Sequence, residues 1–244
     1  MRNWKISLCS LFFVLCFIGT TYAVDLPKQG LGLQLGWAQP VLRINEPGNV
    51  LMKDSLTKHI HLNGFKVGLF YDASYFAGLG SSIGINYTFG AYNGGWESNN
   101  KYGMDYPRSR QFVTYQELEV FVDWQYKFEI AKETYLMLTT GPTIQCGLTM
   151  NMRSDKQQFE GEDFEPAYYN GYNNDNEDQT FTRLNVTWGV GAGFQYKRYF
   201  LRGGYDFGLL VPYKNRDFKD GDYHTRGRLD QWAIKIGMYL WYED

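Results

Sequence analysis

The feature of this sequence that most constrains its fold is a two-residue alternation of apolar with small or polar side chains, repeated in eight runs. A period of two residues is typical of β-strands, in which successive side chains point to opposite faces. Seven of the runs span residues 31–37, 65–71, 79–89, 117–126, 136–148, 184–195 and 201–211. The eighth is the clearest, with apolar residues at Trp232, Ile234, Ile236, Met238, Leu240 and Tyr242. The pattern predicts an all-β fold of eight antiparallel strands.

The connections between the runs alternate in length. Short ones are predicted near Asp72–Phe76, Phe128–Glu133 and Lys197–Arg198. Long polar ones are predicted at residues 46–61, 95–110, 152–179 and 213–226. Tight turns at one end and long loops at the other are typical of bacterial outer-membrane barrels, whose long loops face the cell exterior.

Alternation alone does not say which face of the barrel is outside, because a soluble barrel with an apolar interior alternates as well. The polar face is rich in Gly, Ser, Asn and Gln, whereas the apolar face carries large residues such as Trp37, Trp124 and Trp188. An eight-stranded barrel is only just wide enough to be filled by side chains. We therefore predict an eight-stranded antiparallel transmembrane β-barrel with its apolar face toward lipid, and keep the soluble barrel as the alternative.

The N-terminus has the pattern of a secretory signal peptide. Arg2 and Lys5 precede an apolar stretch over residues 6–19, and Ala23 provides a small residue for cleavage. Such segments are removed from the exported protein. We expect cleavage after residue 23, which leaves residues 24–244 as one barrel domain in the outer membrane.

Charge and composition narrow the choice of partners. A formal net charge of −2 argues against a nucleic-acid-binding protein, which would carry a basic patch. The sequence has no cofactor motif and no complete set of metal ligands, so we expect neither a cofactor nor a metal. The expected partners are outer-membrane lipid and lipopolysaccharide, the barrel-assembly machinery, and a protein partner at the surface or in the periplasm.

Three short motifs bring the chain close to a known family. They are Leu31-Gly32-Leu33, then Leu118-Glu119-Val120 followed by Tyr126-Lys127-Phe128, and Gly189-Val190-Gly191-Ala192-Gly193 before a tight turn. Over residues 28–244 the chain resembles the PorT-like outer-membrane β-barrel domain of Bacteroidota, with the eight-strand size of the OmpA and OmpX barrels. The resemblance implies a fold and an outer-membrane location, and the family name suggests protein secretion without fixing a role.

Charged residues also occur on the face that is predicted to line the lumen. Charges inside a membrane protein are costly and are usually paired. We therefore predict a salt-bridge network that plugs the barrel, and a narrow ion path or small pore is the alternative. The predicted lumen network consists of Lys66, Glu117, Glu119, Asp123, Arg202, Asp206 and Lys235.

The predicted loop at residues 152–179 is the most distinctive connection, because it is acidic and rich in aromatic residues. It is either a solvated acidic loop or a binding surface, and tyrosine favours the second reading by giving a large contact area at low entropy cost. The residues predicted to form that surface are Phe159, Phe164, Tyr168, Tyr169 and Tyr172.

The three histidines, His59, His61 and His224, are all predicted to lie in or near the outer loops. A surface enzyme would need such a histidine beside a positioned serine or acid. Ser55 is close in sequence to His59, and Asp222 is close to His224, but neither spacing is diagnostic of a catalytic site. We therefore predict a non-enzymatic barrel whose surface loops bind a partner, with a lipid A-modifying or proteolytic barrel enzyme as the alternative.

Overall fold

The computed structural model describes residues 29–45, 59–98, 108–172, 181–211 and 226–243. Among these residues no helix is long and apolar enough to cross a membrane. The predicted signal peptide lies outside the described residues. The strands are β1 (Gln29–Asn45), β2 (His59–His61), β3 (Asn63–Phe76), β4 (Leu79–Asn93), β5 (Glu97–Ser98), β6 (Arg108–Ala131), β7 (Thr134–Gln157), β8 (Glu165–Asn170), β9 (Leu184–Tyr196), β10 (Tyr199–Gly208) and β11 (Arg226–Glu243).

Eight long antiparallel strands form a closed ring. Around the ring the order is β1, β3, β4, β6, β7, β9, β10 and β11, and pairing of β1 with β11 closes it. The short strands β2, β5 and β8 pair with β1, β6 and β7. The predicted eight-stranded antiparallel barrel is confirmed, and the sequence did not indicate the three short strands.

Three tight turns mark one end of the barrel, which we call the short-turn end; the opposite end is the long-loop end. The turns lie at Ala77–Gly78, Lys132–Glu133 and Lys197–Arg198. The prediction of a turn over Asp72–Phe76 is wrong, because β3 continues through these residues. Ala77 and Gly78 have φ values of 49° and 82°, and successive positive φ values are typical of two-residue hairpin turns. A Cβ at Gly78 would lie 2.4 Å from the carbonyl oxygen of Lys127.

The apolar face of the alternation points outward. Leu35, Ile85 and Ile236 are 52%, 55% and 59% exposed, and every long strand contributes similar residues. We call this surface the apolar band. Large aliphatic side chains in such a continuous belt would not face water in a soluble protein. A closed barrel pairs every backbone group along the ring, as crossing a membrane requires. The orientation predicted from the sequence is confirmed, and the fold is a transmembrane β-barrel.

One side chain departs from the predicted alternation near the C-terminus. Because Leu240 and Tyr242 belong to the predicted outer face, the alternation predicts Trp241 on the inner face, but its side chain is 50% exposed on the outside. It pairs with Leu31 whereas Tyr239 pairs with Gly32, so Leu240 is an extra residue in β11. A β-bulge of this kind reverses the side-chain phase beyond it.

The predicted loop at 152–179 is partly regular structure. Residues 152–157 continue β7, and β8 pairs with this extension from Asn151 to Lys156. β6 is equally long, with Arg108 pairing with Gln157. At about 3.3 Å per residue, the part of β6 before Leu118 extends roughly 30 Å along the strand. The β6–β7 hairpin therefore projects beyond the apolar band at the long-loop end.

Candidate functional site

Inside the barrel, a buried network of charges lies nearer the long-loop end. Lys66 on β3 forms an ion pair with Glu119 on β6, with 2.7 Å between Nζ and Oε2, and also bonds the amide oxygen of Gln231. Gln231 in turn donates to Glu117 Oε1 at 2.7 Å. Tyr115 donates to the other oxygen of Glu117, also at 2.7 Å. The network thus ties three strands, β3, β6 and β11, across the interior.

A second ionic group lies nearer the short-turn end. Asp72 Oδ2 is 3.4 Å from both Lys127 Nζ and a terminal nitrogen of Arg202, and it accepts a hydrogen bond from Tyr239. Asp72 and Lys127 were not among the predicted lumen residues. Lys127 has the same parity on β6 as Glu119 and Asp123, so the alternation could have identified it. Asp72 was missed because a turn was predicted there.

Between the two groups lies a cavity of ≈ 40 Å³. The three remaining predicted lumen charges, Asp123, Asp206 and Lys235, line it together with Arg202. Part of its wall is glycine on β9, and a Cβ at Gly189 would lie 2.4 Å from Asp206 Oδ1. This explains one use of small residues on the inner face, since Gly189 makes room for the Asp206 side chain from the neighbouring strand β10.

Buried apolar side chains lie inside the barrel on both sides of the cavity, and those toward the short-turn end are at the level of the Asp72 group. Toward the short-turn end a base cluster packs ring on ring, with Phe70 5.3 Å from Phe200 and 5.4 Å from Tyr239 between centroids. Toward the long-loop end is a second set, the mouth cluster. The base cluster consists of Phe70, Phe121, Met137, Phe200 and Tyr239. The mouth cluster consists of Leu42, Ile60, Leu62, Val113, Tyr115, Met150, Tyr172 and Phe181.

Tyr172 was predicted to be a surface residue, and this is wrong. Its side chain is buried in the mouth cluster, and the Arg183 guanidinium lies 4.6 Å from its ring centroid. The segment is anchored because the Phe181 amide donates to Gly171 O at 2.7 Å and the Gly147 amide donates to Arg183 O at the same distance. The chain therefore folds inward after β8, which local composition could not indicate.

On the outside of the projecting β6–β7 hairpin, two arginines share one carboxylate. Asp155, whose side chain is 0% exposed, lies 2.9 Å from Arg110 Nε and 2.7 Å from Arg153 Nε. Burial alone would raise the pKa of Asp155, but hydrogen bonds from Arg153 and Arg110 outweigh it and hold that pKa below its ordinary value. The carboxylate thus fixes both guanidinium groups in place.

Aromatic rings surround these arginines. The Arg110 guanidinium lies 4.8 Å from the ring centroid of Trp96, and the Arg153 guanidinium 5.7 Å from that of Tyr168. Such cation–π contacts are favourable within about 6 Å. We call the whole group the hairpin cluster; it consists of Trp96, Arg110, Phe112, Arg153, Asp155, Phe164 and Tyr168.

Among the other predicted surface aromatics, Phe159 is exposed, and the side chain of Tyr169 is outside the described part of the structure. Phe164 and Tyr168 are exposed members of the hairpin cluster. The sequence placed these aromatics and Arg153 in one predicted loop but gave no sign that Arg110 joins them, since Arg110 is distant in the chain.

The histidines do not form a recognisable catalytic group in the described residues. His61 is exposed, and its Nδ1 lies 3.4 Å from Gln39 Oε1. The side chain of His59 and the whole of His224 lie outside the described part of the structure. Within the described ranges no group of three or more His, Cys, Asp or Glu residues could hold a metal ion.

No protein-family model matches the sequence, and no curated protein sequence matches it. Membership of the PorT-like family therefore stays a prediction. Among solved structures, the chain is similar to Ail of Yersinia pestis, solved with the heparin analogue sucrose octasulfate, at 13% identity over 87% of this chain and 99% of that one, with a TM-score of 0.39. The chain is also similar to Neisserial surface protein A, at 11% identity over 86% of this chain and 97% of that one, with a TM-score of 0.37.

Proposed function

We propose that this protein is a non-enzymatic outer-membrane β-barrel with a plugged lumen, which binds a protein partner at the cell surface through the hairpin cluster. An outer-membrane location is supported by the closed barrel with its lipid-facing apolar band, since barrels of this kind span bacterial outer membranes. Contacts with outer-membrane lipid, lipopolysaccharide and the barrel-assembly machinery belong to the same proposal.

The observation that carries the proposed binding role is the hairpin cluster itself. Its arginines and their shared carboxylate lie on the parts of β6 and β7 that extend beyond the apolar band, where lipid does not cover them. Aromatic and arginine side chains dominate the binding energy at protein interfaces. The hairpin cluster presents both types, and Asp155 holds the arginines in one conformation, so little side-chain entropy is lost when a partner binds.

A plugged lumen is supported by the layered interior. Ion pairs cross the interior on both sides of the cavity, and the mouth and base clusters contact these charges through Tyr115 and Tyr239. An interior of this kind adds stiffness to a platform that carries the hairpin cluster, and offers no wide water path.

The location is tested by running the native membrane fraction on an SDS gel, unheated beside boiled. A closed barrel resists SDS, so we expect the unheated protein from the outer-membrane fraction to migrate differently. An unchanged mobility, with the protein recovered in the soluble periplasmic fraction, would contradict the barrel's membrane placement.

The binding role is tested by site-specific photo-cross-linking on intact cells. A photoreactive residue replaces Tyr168, which is 71% exposed in the hairpin cluster, or Tyr199, which is 62% exposed at the short-turn end. We expect an adduct with a surface protein from position 168 only, and its loss when Arg153→Gln is added. No adduct at 168, or one that persists in the Arg153→Gln variant, would refute the proposed contact.

A further inference from the structure

The outer wall carries a second arginine–carboxylate group, on the opposite side of the ring from the hairpin cluster. Asp230 on β11 has the same outward parity as Trp232 and Ile234, yet its side chain is 0% exposed. Arg43 on β1 and Arg228 on β11 cover it, with their Nε atoms 2.7 and 2.9 Å from Asp230 Oδ2. A buried carboxylate on the lipid-facing side of a barrel is costly unless paired.

The local bonding holds this group in place. Tyr205 donates its phenol proton to Asp230 Oδ2 at 2.5 Å, and the Gly208 amide donates to Oδ1 at 2.9 Å. Arg43 donates to the Tyr205 oxygen at 3.0 Å. We call Arg43, Tyr205, Arg228 and Asp230 the seam cluster.

The seam cluster carries an excess positive charge that a ligand can reach. Two guanidinium groups face one carboxylate, and the side chains of Arg43 and Arg228 are 35% and 42% exposed. Asp230 acts here as a positioning residue. Guanidinium groups bind phosphate through paired hydrogen bonds, and groups already held in place lose little entropy when they do so.

The seam cluster lies where the apolar band ends. On β11 the outward residues continue toward the short-turn end as Trp232, Ile234 and Ile236, all exposed. Trp232 packs against Tyr205 with 4.4 Å between ring centroids. Tryptophan at this position is typical of the boundary between hydrocarbon and headgroups, so the arginines stand at headgroup level.

Directly below, on the same wall, is an open apolar groove of ≈ 650 Å³. It crosses β1, β3 and β11, the first and last of which carry the two arginines. An acyl chain fits such a groove by its apolar surface. The side chains that line it are Leu35, Trp37, Phe65, Ile234 and Ile236.

We propose that this wall binds one molecule of lipid A, with a phosphate on Arg43 and Arg228 and an acyl chain in the groove below them. The proposal rests on the proposed outer-membrane location but not on the hairpin cluster. Lipid A fits because it joins phosphomonoesters, which carry up to two negative charges, to several acyl chains. It is also the lipid met at the outward-facing long-loop end.

The test is a titration of the full chain, refolded in zwitterionic detergent micelles, followed by tryptophan fluorescence, because Trp232 lies between the two halves of the site. The probes are lipid A, lipid A with its phosphates removed, and phosphatidylglycerol. The main variant is Arg43→Gln/Arg228→Gln/Asp230→Asn, which avoids leaving Asp230 buried without a cation. The matched control, Lys132→Gln/Lys197→Gln, removes the same number of lysine or arginine charges at the short-turn end.

We expect the main variant to bind lipid A at least tenfold more weakly, and the control to bind like the wild type. Removing the phosphates should weaken binding to the wild type by a similar factor. Equal affinity for dephosphorylated lipid A, or phosphatidylglycerol binding as tightly as lipid A, would overturn the proposal.

Folding of each variant is checked by the SDS mobility shift. If the triple variant does not fold, the single variant Arg228→Gln, which keeps Arg43 on Asp230, gives the same comparison and should also bind lipid A more weakly. Failure of this proposal leaves the cross-linking result at Tyr168 untouched, whereas absence of the SDS shift in the wild type would remove the basis of both.

Discussion

Lys66 shows how much a single buried charge can contribute in a lumen of this size. Its ammonium group bonds both Glu119 and Gln231 and is almost fully buried, as is Glu119. Asn86 and Thr88 also donate to Glu119, at 3.2 and 2.9 Å. Removing the Lys66 ammonium group would therefore leave the Glu119 carboxylate with only neutral hydrogen-bond donors.

We expect Lys66→Met to lower the free energy of unfolding by roughly 3–5 kcal/mol, because removing one member of a buried ion pair leaves the other, Glu119, without a compensating charge. The measurement is urea unfolding in detergent micelles. The control is Lys235→Met, which removes a lysine lining the cavity and should cost less because water can enter there. Adding Glu119→Gln to Lys66→Met should restore much of the loss; an additive loss would contradict the pairing.

Ionisation of Asp155 should make the structure of the hairpin cluster depend on pH. Its pKa is held below the ordinary value by Arg153 and Arg110, so ionisation of the carboxylate favours the folded arrangement. That contribution is complete above the unfolded-state pKa and is lost as pH falls through the folded-state pKa. The fluorescence difference between wild type and Trp96→Phe should thus stay constant from pH 7 to about 5 and change only in strong acid. In the Asp155→Asn background, this fluorescence difference should already be altered at pH 7. A change of the difference near neutral pH in the wild-type background would contradict the low pKa of Asp155.

At the scale of elements, β7 decides how the mouth is filled. A Cβ at Gly147 would lie 1.8 Å from the Tyr172 hydroxyl oxygen, so this glycine leaves the space that the tyrosine occupies. The same strand forms the mouth through Met150 and the hairpin cluster through Arg153. One strand thus positions side chains of both the mouth cluster and the hairpin cluster.

We expect Gly147→Ala to displace Tyr172 from the mouth cluster and to destabilise the protein by about 1–3 kcal/mol. Chymotrypsin added to intact cells should then cleave after Tyr172 itself, which is buried in the wild type, in addition to sites such as Phe159 that are exposed in both proteins. Gly95→Ala is the matched control, because no atom lies within 4 Å of a Cβ there. Equal protection of the Gly147→Ala protein would show that Tyr172 is held by other contacts.

The alternation of side chains predicted the eight barrel strands, the outward apolar face and the seven lumen charges, because each follows from a local period of two. The alternation failed where a side chain's position depends on contacts with residues that are distant in the sequence. The inward fold of Tyr172 depends on contacts with β1 and β6, and the arginines of the hairpin cluster come from two strands. The bulge at Leu240 depends on register with β1, which no local pattern of β11 reveals.

At the scale of the whole molecule, the barrel separates the two arginine–carboxylate groups described on its outer wall. The arginines and the carboxylate of the hairpin cluster lie on β6 and β7, and the seam cluster lies on β1, β10 and β11, across the ring. The former stands on strands that project beyond the apolar band, whereas the latter lies at its edge. A barrel anchored through the seam cluster in lipid A would hold the hairpin cluster clear of the membrane, so the two proposed contacts do not compete.

The layered interior predicts that the folded barrel does not conduct ions steadily. The central cavity holds only ≈ 40 Å³, and buried aromatic or aliphatic side chains lie on both sides of it. Purified protein that shows the SDS mobility shift should give no stable channels in planar bilayers. Tyr172→Ala opens only the mouth and Phe200→Ala only the base, so each alone should stay silent, and only their combination should raise the bilayer current. Large steady channels from the wild type would show that water and ions pass the charged layers, and would favour the pore over the plug.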